Sequence, residues 1–424
     1  MTSVASVRRL VQVPGDKSIS HRSLILAALS DGTSTIRGLL RSADVDSTAS
    51  VLASLGVQIE SDGETVIVRG RGLRGLLVPM SPLDCGNSGT TARLMSGVLA
   101  AHSFQSTLTG DASLSRRPMR RATEPLEQMG ARFTFEGAAD GLPLTIHGGT
   151  LASIGWRSRN ASAQIKSAIL LAALNAQVGA SVTEPRRSRD HTERMLAARG
   201  VPIIVDGNSV SIGAARSMTA MDVHVPGDPS SAAFFVALAA LFAGRSIDLP
   251  GVCVNPTRTG FLNVVQRMGA TVLIDETADA GGEPTGTIRA TGTDSLYGVS
   301  IGADEIPSMI DEIPMLACLA ARAHGETVIS GASELRVKES DRITAVVRNL
   351  RAIGVDADER PDGMTIRGSQ EPLSGLVETH GDHRLAMAFG ILGAVPGNTL
   401  EIATPDCVAV SYPAFWSDLR RVTQ

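Results

Sequence analysis

Three residues whose types suit anion binding stand at the start of a predicted helix near the N-terminus. Residues 13–22 read VPGDKSISHR and include Lys17, Ser18 and Arg22. Free backbone N–H groups and the positive dipole end of a helix already favour an anion there. Ser18 and Arg22 are four residues apart, so in a helix a hydroxyl and a guanidinium would share one face and could hold a phosphate or a carboxylate. The alternative is an ordinary helix cap with two solvated cations.

A second predicted helix start combines glycines with polar side chains. Residues 84–93 read DCGNSGTTAR, and Gly89 beside Asn87 would let the backbone approach a ligand closely. No Gly-Lys-Ser/Thr sequence follows, so a nucleoside triphosphate is not indicated. Downstream, Arg117 in a short basic run directly precedes Pro118, which should hold it extended. A solvated basic face is the alternative for that run.

A third predicted helix begins with the polar residues Ser162 and Gln164, which flank Ala163. Their side chains suit recognition of hydroxyls or carboxylates, although Ser162 alone is only a helix cap. Arg189 lies downstream in another basic turn, residues 186–191, that opens a further helix.

The C-terminal half supplies groups that could carry protons. Asp311 and Glu312 begin a markedly apolar helix, where desolvation could make one of them a base. Acids that complement a helix dipole are the alternative.

The densest constellation of charge lies in residues 335–342, LRVKESDR. In a helix Lys338, Glu339 and Arg342 would be neighbours, so a proton carrier would lie beside two cations. Arg384 follows at the start of the last apolar helix. Isolated salt bridges would explain either segment alone.

The elements that must position these residues repeat along the chain. Six segments rich in Ala and Leu have a polar or Gly-containing start and lead into a short strand, at residues 17–29, 89–100, 163–174, 231–242, 311–323 and 384–395. Between them, amphipathic helices end at a glycine and continue into a strand, at Gly56, Gly130, Gly200, Gly269 and Gly354. This pattern predicts a βαβαββ-like unit used six times, with the sixth unit split between the termini.

The sequence VPGD recurs at residues 225–228, which indicates an internal duplication. We predict an α/β chain of two similar domains with three units each. One comprises residues 14–224, and the other comprises residues 1–13 with 225–424, the N-terminal strand completing a unit begun at the C-terminus. Only the first copy carries cations, so the site is expected between the two halves.

Composition limits the class of protein. With 424 residues the chain exceeds a single core, and a net charge of −4 argues against a nucleic-acid or membrane surface. The four cysteines show no CxxC spacing, so buried reduced thiols and a cytoplasmic location are expected. No stretch approaches the roughly 20 apolar residues of a spanning helix, and the first motif comes too early for a secretory signal.

The ordered motifs PGDKSISHR, GNSGTTAR, RRPM, SAQ, IDEIP, RVKESDR and GDHRLAM resemble those of the 5-enolpyruvylshikimate-3-phosphate synthase family across nearly the whole chain. The resemblance implies two domains of the inside-out α/β barrel type, each with three βαβαββ units around a pseudo-threefold axis, and an active site in the cleft between them. It implies that phosphoenolpyruvate and shikimate 3-phosphate give an enolpyruvyl ether and phosphate, without a metal or redox cofactor. We expect a monomer with small-molecule substrates only.

The resemblance also implies residue roles. Lys17 would touch both substrates, Asp311 would take the proton of the 5-hydroxyl, and Glu339 would deliver or remove the proton at the methylene carbon. The residues implied for shikimate 3-phosphate are Ser18, Arg22, Ser162, Ala163, Gln164, Arg189 and Lys338. Those implied for phosphoenolpyruvate are Asn87, Gly89, Arg117, Gln164, Arg342 and Arg384. In the family, the position of Gly89 borders the site of the inhibitor glyphosate.

Three positions depart from the family pattern. Glu334 stands where many members have Asn, and Ala163 replaces the usual second Ser. Val410 stands where many members have a Lys, which removes one cation expected to bind phosphoenolpyruvate.

Two alternative functions remain open from the sequence. The sister enzyme that transfers enolpyruvyl to UDP-N-acetylglucosamine typically carries a Cys near the RRPM segment, but residues 109–121 contain none. A six-unit nucleic-acid-binding protein would need cations along its helices. Here the helices are apolar and the cations gather at their starts.

Overall fold

A computed structural model of the protein describes residues 7–137 and 140–424. These residues fall into two compact units. The first unit comprises Gly15–Val225 with Asp279–Glu283, and the second comprises the described residues up to Pro14 together with Pro226–Ala278 and Pro284–Gln424. The domain boundaries predicted from the duplication stay a prediction.

The elements are labelled in chain order. Strand β1 (Val7–Leu10) belongs to the second unit. The first unit continues with α1 (Lys17–Leu29), β2 (Thr33–Arg37), α2 (Ala43–Ser54), β3 (Gln58–Asp62), β4 (Thr65–Arg69), β5 (Leu83–Asp84), α3 (Gly89–Ala100), β6 (Gln105–Thr109), α4 (Arg120–Gln128), β7 (Arg132–Phe135), β8 (Leu144–His147), β9 (Ile154–Arg157), α5 (Ala163–Ala176), β10 (Ala180–Thr183), α6 (His191–Ala197), β11 (Ile203–Asp206), β12 (Ser209–Ile212) and β13 (Val223–His224).

The second unit carries the remaining elements, with the tip of the β15–β16 hairpin grouped in the first unit. They are α7 (Pro229–Ala240), β14 (Arg245–Cys253), α8 (Gly260–Arg267), β15 (Thr271–Ala280), β16 (Glu283–Thr291), β17 (Ser300–Ile301), α9 (Ile313–Ala320), β18 (Glu326–Ile329), α10 (Arg342–Ala352), β19 (Asp356–Arg360), β20 (Gly363–Arg367), β21 (Ser374–Val377), α11 (His383–Gly393), β22 (Thr399–Ile402) and α12 (Phe415–Thr423). Short 3₁₀ helices lie at Leu114–Arg116, Ile306–Ser308, Ile310–Glu312, Ser333–Val337 and Pro405–Val410.

One strand order recurs in five four-stranded sheets. The sheets are β13-β2-β4-β3, β5-β6-β8-β7, β9-β10-β12-β11, β1-β14-β16-β15 and β17-β18-β20-β19. The first two strands of each run parallel. A sixth sheet contains the parallel pair β21 and β22. Within the described residues the repeat therefore follows the predicted βαβαββ pattern, with a shorter C-terminal sheet.

The prediction that the N-terminal strand completes the C-terminal unit is wrong. Val7 in β1 is paired with Arg245 in β14, so β1 belongs to the sheet of residues 245–291. In the other unit, Val223 in β13 is paired with Ile36 in β2. Each VPGD sequence thus follows a strand of one unit and leads into a helix of the other unit.

The backbone confirms the predicted role of five glycines as helix ends. Gly56, Gly130, Gly200, Gly269 and Gly354 all have positive φ, between 80° and 111°. This is the left-handed conformation that ends a helix, and glycine adopts it without a clash from Cβ.

The six apolar helices form the inner layers of the two units. In α1, α3 and α5 nearly every residue is buried, and the same holds for α7, α9 and α11. Helices α3 and α5 lie so close that a Cβ on Gly97 would stand 2.1 Å from the carbonyl oxygen of Ala168. A helix buried on all sides has no polar face. Polar chemistry on these helices is therefore concentrated at their starts.

Candidate active site

The start of α1 is organised by Asp16, whose carboxylate caps the helix by accepting the Ile19 N–H at 2.8 Å. Lys17 forms an ion pair with Asp44 of α2, and its side chain is 17% exposed. The alternative interpretation of Lys17 as a solvated cation is therefore wrong, because a buried carboxylate holds its side chain. Ser18 is half-buried, and its carbonyl oxygen accepts a hydrogen bond from Arg22 Nη1 at 2.9 Å.

Arg22 is buried in a cluster of hydroxyl groups. Its Nε donates to Thr192 Oγ1 at 2.7 Å, and its Nη2 donates to Ser167 Oγ at 2.8 Å. Burial lowers the pKa of Arg22 to about 10, although the carboxylate of Glu193 acts in the opposite direction, and the guanidinium of Arg189 lowers the pKa further. Two arginines within electrostatic reach of each other, one of them buried, suit a multiply charged anion.

The start of α3 brings together three of the predicted residues. Arg117 Nη2 donates to Asn87 Oδ1 at 2.8 Å, while Asn87 Nδ2 donates to Asp111 Oδ2 at 2.6 Å. Arg117 has φ −78° and ψ 132°, which confirms the extended conformation predicted from Pro118. Gly89 is buried beside this pair, with its ideal Cβ position 3.6 Å from Arg117 Nη1.

Arg93 was missed by the sequence analysis as a residue that joins two of these segments. Its Nη1 donates to Gln164 Oε1 at 2.8 Å and lies 2.7 Å from the ideal Cβ position of Gly89. Gln164 Nε2 in turn donates to Thr90 Oγ1 at 3.0 Å. Arg93 ends the quoted motif GNSGTTAR, so its place one helical turn after Gly89 was the available signal.

The start of α5 leaves a hydroxyl available. Ser162 is the N-cap residue, and among the described residues its side chain makes no capping hydrogen bond. Its backbone N–H donates to Glu184 Oε1 at 2.8 Å. Ala163 and Arg189 are half-buried.

The second unit gathers three cations around Asp311. Lys338 Nζ lies 3.3 Å from Asp311 Oδ1, and Arg342 Nη1 lies 3.4 Å from the same oxygen. Arg384 Nη2 lies 4.0 Å from Asp311 Oδ2, and its Nη1 donates to the Asp311 carbonyl oxygen at 3.3 Å. Two segments far apart in sequence, residues 338–342 and Arg384, thus place cations around the carboxylate of Asp311.

Arg342 is 1% exposed and is held by two further carboxylates. Its Nε donates to Asp382 Oδ2 at 2.7 Å, and its Nη2 donates to Glu339 Oε2 at 2.7 Å. Burial alone would lower the pKa of Arg342, but the attraction of Asp382 and Glu339 is larger in sum, and the pKa is raised. Arg342 therefore stays charged in this unit.

The prediction of one helix across residues 335–342 is wrong for residues 338–341. The 3₁₀ helix ends at Val337, Lys338 has an extended backbone, and α10 begins only at Arg342, which Asp341 precedes as the N-cap. Glu339 reaches Arg342 from outside the helix. The N-cap role of Asp341, which accepts from the Thr344 N–H, is the physical reason for the later start.

The four cysteines form no disulfide, and three of them are buried. The expectation of burial is wrong for Cys407, which is only partly buried in the 3₁₀ helix Pro405–Val410. Burial raises the pKa of the Cys85 thiol to about 12. Val410, at the position of the missing lysine, is half-buried at the end of the same 3₁₀ helix.

No group of three or more His, Cys, Asp or Glu side chains in residues 7–137 and 140–424 is placed to hold a metal ion. No helix in the described part of the chain is long and apolar enough to cross a membrane.

Comparison with solved structures defines the class of protein. EPSP synthase from Acinetobacter baumannii has a TM-score of 0.85 at 41% identity, over 98% of this chain and 96% of that one. The enolpyruvyl transferase NikO from Streptomyces tendae has a TM-score of 0.77 at 17% identity, over 97% and 94% of the two chains. The chain therefore has the two-domain enolpyruvyl transferase fold, and the predicted fold class is confirmed.

Sequence comparison then identifies the family. The sequence model of EPSP synthase (3-phosphoshikimate 1-carboxyvinyltransferase) matches residues 1–419. The 3-phosphoshikimate 1-carboxyvinyltransferases of Bacillus subtilis and of Xanthomonas campestris pv. campestris are 47% and 50% identical, over 98% and 95% of this chain and 97% and 92% of theirs. The chain belongs to the EPSP synthase family, and it is a transferase of the shikimate pathway.

Proposed function

We propose that this chain transfers the enolpyruvyl group of phosphoenolpyruvate to the 5-hydroxyl of shikimate 3-phosphate and releases phosphate. The observation that carries the proposal is the convergence of Lys338, Arg342 and Arg384 on Asp311. Both substrates are anions, and Asp311 must act as a base next to them. The cations around Asp311 are needed because they hold these anionic substrates beside a carboxylate.

In the first unit the proposal assigns binding roles. Lys17, held by Asp44, would contact both substrates, and the cluster around Arg22 would bind shikimate 3-phosphate. The remaining ligands of that substrate are Ser18, Ser162, Ala163, Gln164 and Arg189. Asn87, Gly89 and Arg117 would bind phosphoenolpyruvate together with Gln164. The Asn87–Arg117 hydrogen bond supports this assignment, since it fixes a guanidinium beside a helix start.

In the second unit the proposal assigns proton transfer. Asp311 accepts the proton of the 5-hydroxyl while the oxygen forms a bond to C2 of phosphoenolpyruvate, and Glu339 donates a proton to the methylene C3. In the elimination that follows, Glu339 removes a proton from the new methyl group, the double bond forms again, and the C–O bond to phosphate breaks. Phosphate leaves, and the proton that Asp311 accepted is released with it, so both carboxyl groups return to their starting states. Lys338 would bind shikimate 3-phosphate.

Arg342 and Arg384 of the second unit would bind phosphoenolpyruvate. Arg342 is the first residue of α10, and Arg384 lies in the first turn of the buried helix α11. Asp382 accepts from the side chain of Arg342 and from the backbone N–H of Arg384 at 3.0 Å. A shared carboxylate thus fixes the two guanidinium groups. With Val410 in place of a lysine, Arg117, Arg342 and Arg384 are the guanidinium groups assigned to this substrate.

We further propose that the enzyme works in the cytoplasm as a monomer and binds neither nucleic acid nor membranes. The four cysteines, which form no disulfide, and the net charge of −4 support this proposal. Gel filtration with light scattering and retention on heparin test the oligomeric state and nucleic-acid binding.

The test of the function is phosphate release from the purified chain with both substrates. We expect release only when phosphoenolpyruvate and shikimate 3-phosphate are present together. Reactions that lack one substrate are the controls, and a third reaction replaces shikimate 3-phosphate with UDP-N-acetylglucosamine. Release with the nucleotide sugar instead of shikimate 3-phosphate would contradict the proposal.

A further inference from the structure

Three charged side chains lie buried in the first unit and have no role in the mechanism above. Lys166 of α5, Glu184 after β10 and Glu193 of α6 are each 3–4% exposed. Lys166 Nζ lies 2.8 Å from Glu184 Oε2 and 2.8 Å from Glu193 Oε1. Burying ions is costly, and well-packed apolar residues often stabilise a fold as well or better. The triad therefore calls for an explanation beyond stability.

Glu184 connects two segments that carry proposed substrate ligands. Its Oε1 accepts from the Ser162 N–H at 2.8 Å and from Ser188 Oγ at 2.7 Å. Its Oε2 accepts from Ser188 Oγ at 2.8 Å and from the Ser188 N–H at 3.3 Å. Ser188 directly precedes Arg189. One buried carboxylate thus fixes the backbone at Ser162 and the backbone next to Arg189.

Lys166 and Glu193 extend this connection to Arg22. Thr192, which precedes Glu193, accepts from Arg22 Nε at 2.7 Å and shares a hydrogen bond of 2.6 Å with Ser167. Lys166 is next to Ser167 in α5, so its ion pair with Glu193 joins α5 and α6 beside these hydroxyls. Charged groups here act on Arg22, since the pKa of that arginine responds to Glu193 and to Arg189.

The single lysine does not fully compensate both carboxylates. Burial raises the pKa of Glu193, and the pKa stays raised although Lys166 acts in the opposite direction. Glu193 Oε2 has no hydrogen-bond partner among the residues that the structure describes. Glu184, in contrast, uses both oxygens, and its contacts lead directly to Ser162 and Ser188. Of the two carboxylates, Glu184 is therefore the one built to fix the ligand-bearing segments.

We propose that Glu184, held by Lys166, is a positioning residue for the phosphate of shikimate 3-phosphate. It touches no substrate but sets the positions of Ser162, at the start of α5, and of Arg189. The proposal rests on the proposed function of those two residues. A phosphate ester is held by several donors at once, so their relative positions determine its affinity, and small displacements lose much of the binding.

The test is Glu184→Gln in the full chain, which keeps the shape and one acceptor oxygen but removes the charge. We expect KM for shikimate 3-phosphate to rise about tenfold, while KM for phosphoenolpyruvate and kcat stay within about twofold. Calorimetry supplies a second measurement. Affinity for shikimate 3-phosphate should fall about tenfold, and affinity for shikimate, which lacks the phosphate, should change less than about twofold.

Two further variants keep the test decisive. Ser188→Ala removes the hydroxyl that bonds to Glu184 without leaving a buried lysine uncompensated, and we expect a smaller change, about threefold, with the same selectivity. It decides the matter if Glu184→Gln does not fold. Asp248→Asn is the matched control, because Asp248 is also a buried carboxylate with two arginine partners but lies in the second unit. It should lower the melting temperature and leave the ratio of the two KM values unchanged.

The outcomes separate this inference from the proposed function. A wild-type chain without phosphate release would contradict the function itself. An active wild type whose Glu184→Gln and Ser188→Ala variants lose stability, but keep the KM ratio and the preference for shikimate 3-phosphate over shikimate, would show that Glu184 is structural only.

Discussion

The two VPGD sequences lead into helices that are capped in the same way but carry different side chains. Asp16 caps α1 by accepting the Ile19 N–H at 2.8 Å, and Asp228 caps α7 by accepting the Ser230 N–H at 2.7 Å. Each follows a strand that pairs in parallel within its own sheet. The backbone of the duplicated unit has thus been kept where the side chains have diverged.

The sixth residue after the capping aspartate shows the divergence most clearly. In α1 this residue is Arg22, whose guanidinium donates to hydroxyls of Thr192 and Ser167. In α7 it is Phe234, which is 2% exposed and packs edge-on against Phe415 with ring centroids 5.7 Å apart. The same buried helix position therefore holds a cation in one unit and an aromatic core residue in the other.

The start of α7 is also occupied by groups of the chain itself. Ser230 Oγ donates to the buried carboxylate of Glu312, and Arg258 Nη2 donates to Ser230 Oγ at 2.8 Å. The start of α1, by comparison, is proposed to receive the anion of a substrate. A helix start favours an anion in both units, but only in the first unit is that anion proposed to come from outside the protein.

The largest expected effect concerns stability. It tests whether Phe234 stabilises the fold more than Arg22 does. Phe234→Ala should lower the free energy of unfolding by about 3–5 kcal/mol, because it leaves a cavity beside Phe415. Arg22→Met should cost much less, since a buried charge can be replaced by an apolar side chain with little loss and Ser167 and Thr192 still bond to each other. Urea unfolding measures both. An equal cost for the two variants would break the comparison.

A second pair of variants tests the division between binding and proton transfer. Asp311→Asn should lower kcat about 10²-fold or more and leave affinity for shikimate 3-phosphate within a modest factor, as expected for loss of a general base. Arg22→Met should mainly raise KM for shikimate 3-phosphate. Steady-state kinetics with calorimetric binding separates the two effects. The reverse pattern would refute the assignment of roles to the two units.

The sequence predicted those features that depend on neighbouring residues. The helix starts at Lys17 and Gly89 and the five helix-ending glycines are local patterns, and they lie where expected. The partner of β1 was mispredicted, because a four-residue strand carries no signal for which parallel neighbour it joins. Thr192 and Asp382 were not predicted as partners of Arg22 and Arg342 for a similar reason. Their contacts join segments 170 and 40 residues apart, and no spacing rule reaches that far.

The third prediction concerns a buried histidine that only the first helix start possesses. His21 lies in α1 where α7 has Ala233, and burial lowers its pKa to about 3. Between about pH 6.5 and 3 the unfolded chain binds the proton and the folded chain does not. This group's contribution to stability is therefore present above pH 6.5 and is lost as the pH falls through that range, by up to about 1.4 kcal/mol per pH unit.

Urea unfolding at several pH values checks the histidine. His21→Gln should flatten the decline in the free energy of unfolding below pH 6.5, while His224→Gln, at an exposed position of β13, should leave it unchanged. If the free energy of unfolding falls with pH at the same slope in wild type and in His21→Gln, His21 does not distinguish the two helix starts under acid conditions.

The smallest expected effect extends the comparison to the next buried helix of each unit. Helix α3 begins with Gly89, whereas α9 follows the carboxylates of Asp311 and Glu312. With no Cβ at Gly89, we expect glyphosate to inhibit competitively with phosphoenolpyruvate. A methyl group there would lie 2.7 Å from Arg93 Nη1, at the flexible end of a side chain, so this guanidinium, which donates to Gln164, must shift. Gly89→Ala should raise the inhibition constant about tenfold and KM for phosphoenolpyruvate much less, since the longer inhibitor fills the space that the methyl takes.

Arg93→Met serves as the control, because it removes the same guanidinium without narrowing the pocket. Equal inhibition constants for wild type and Gly89→Ala would show that Gly89 does not set the pocket length, and an effect of the same size in Arg93→Met would assign it to the arginine instead.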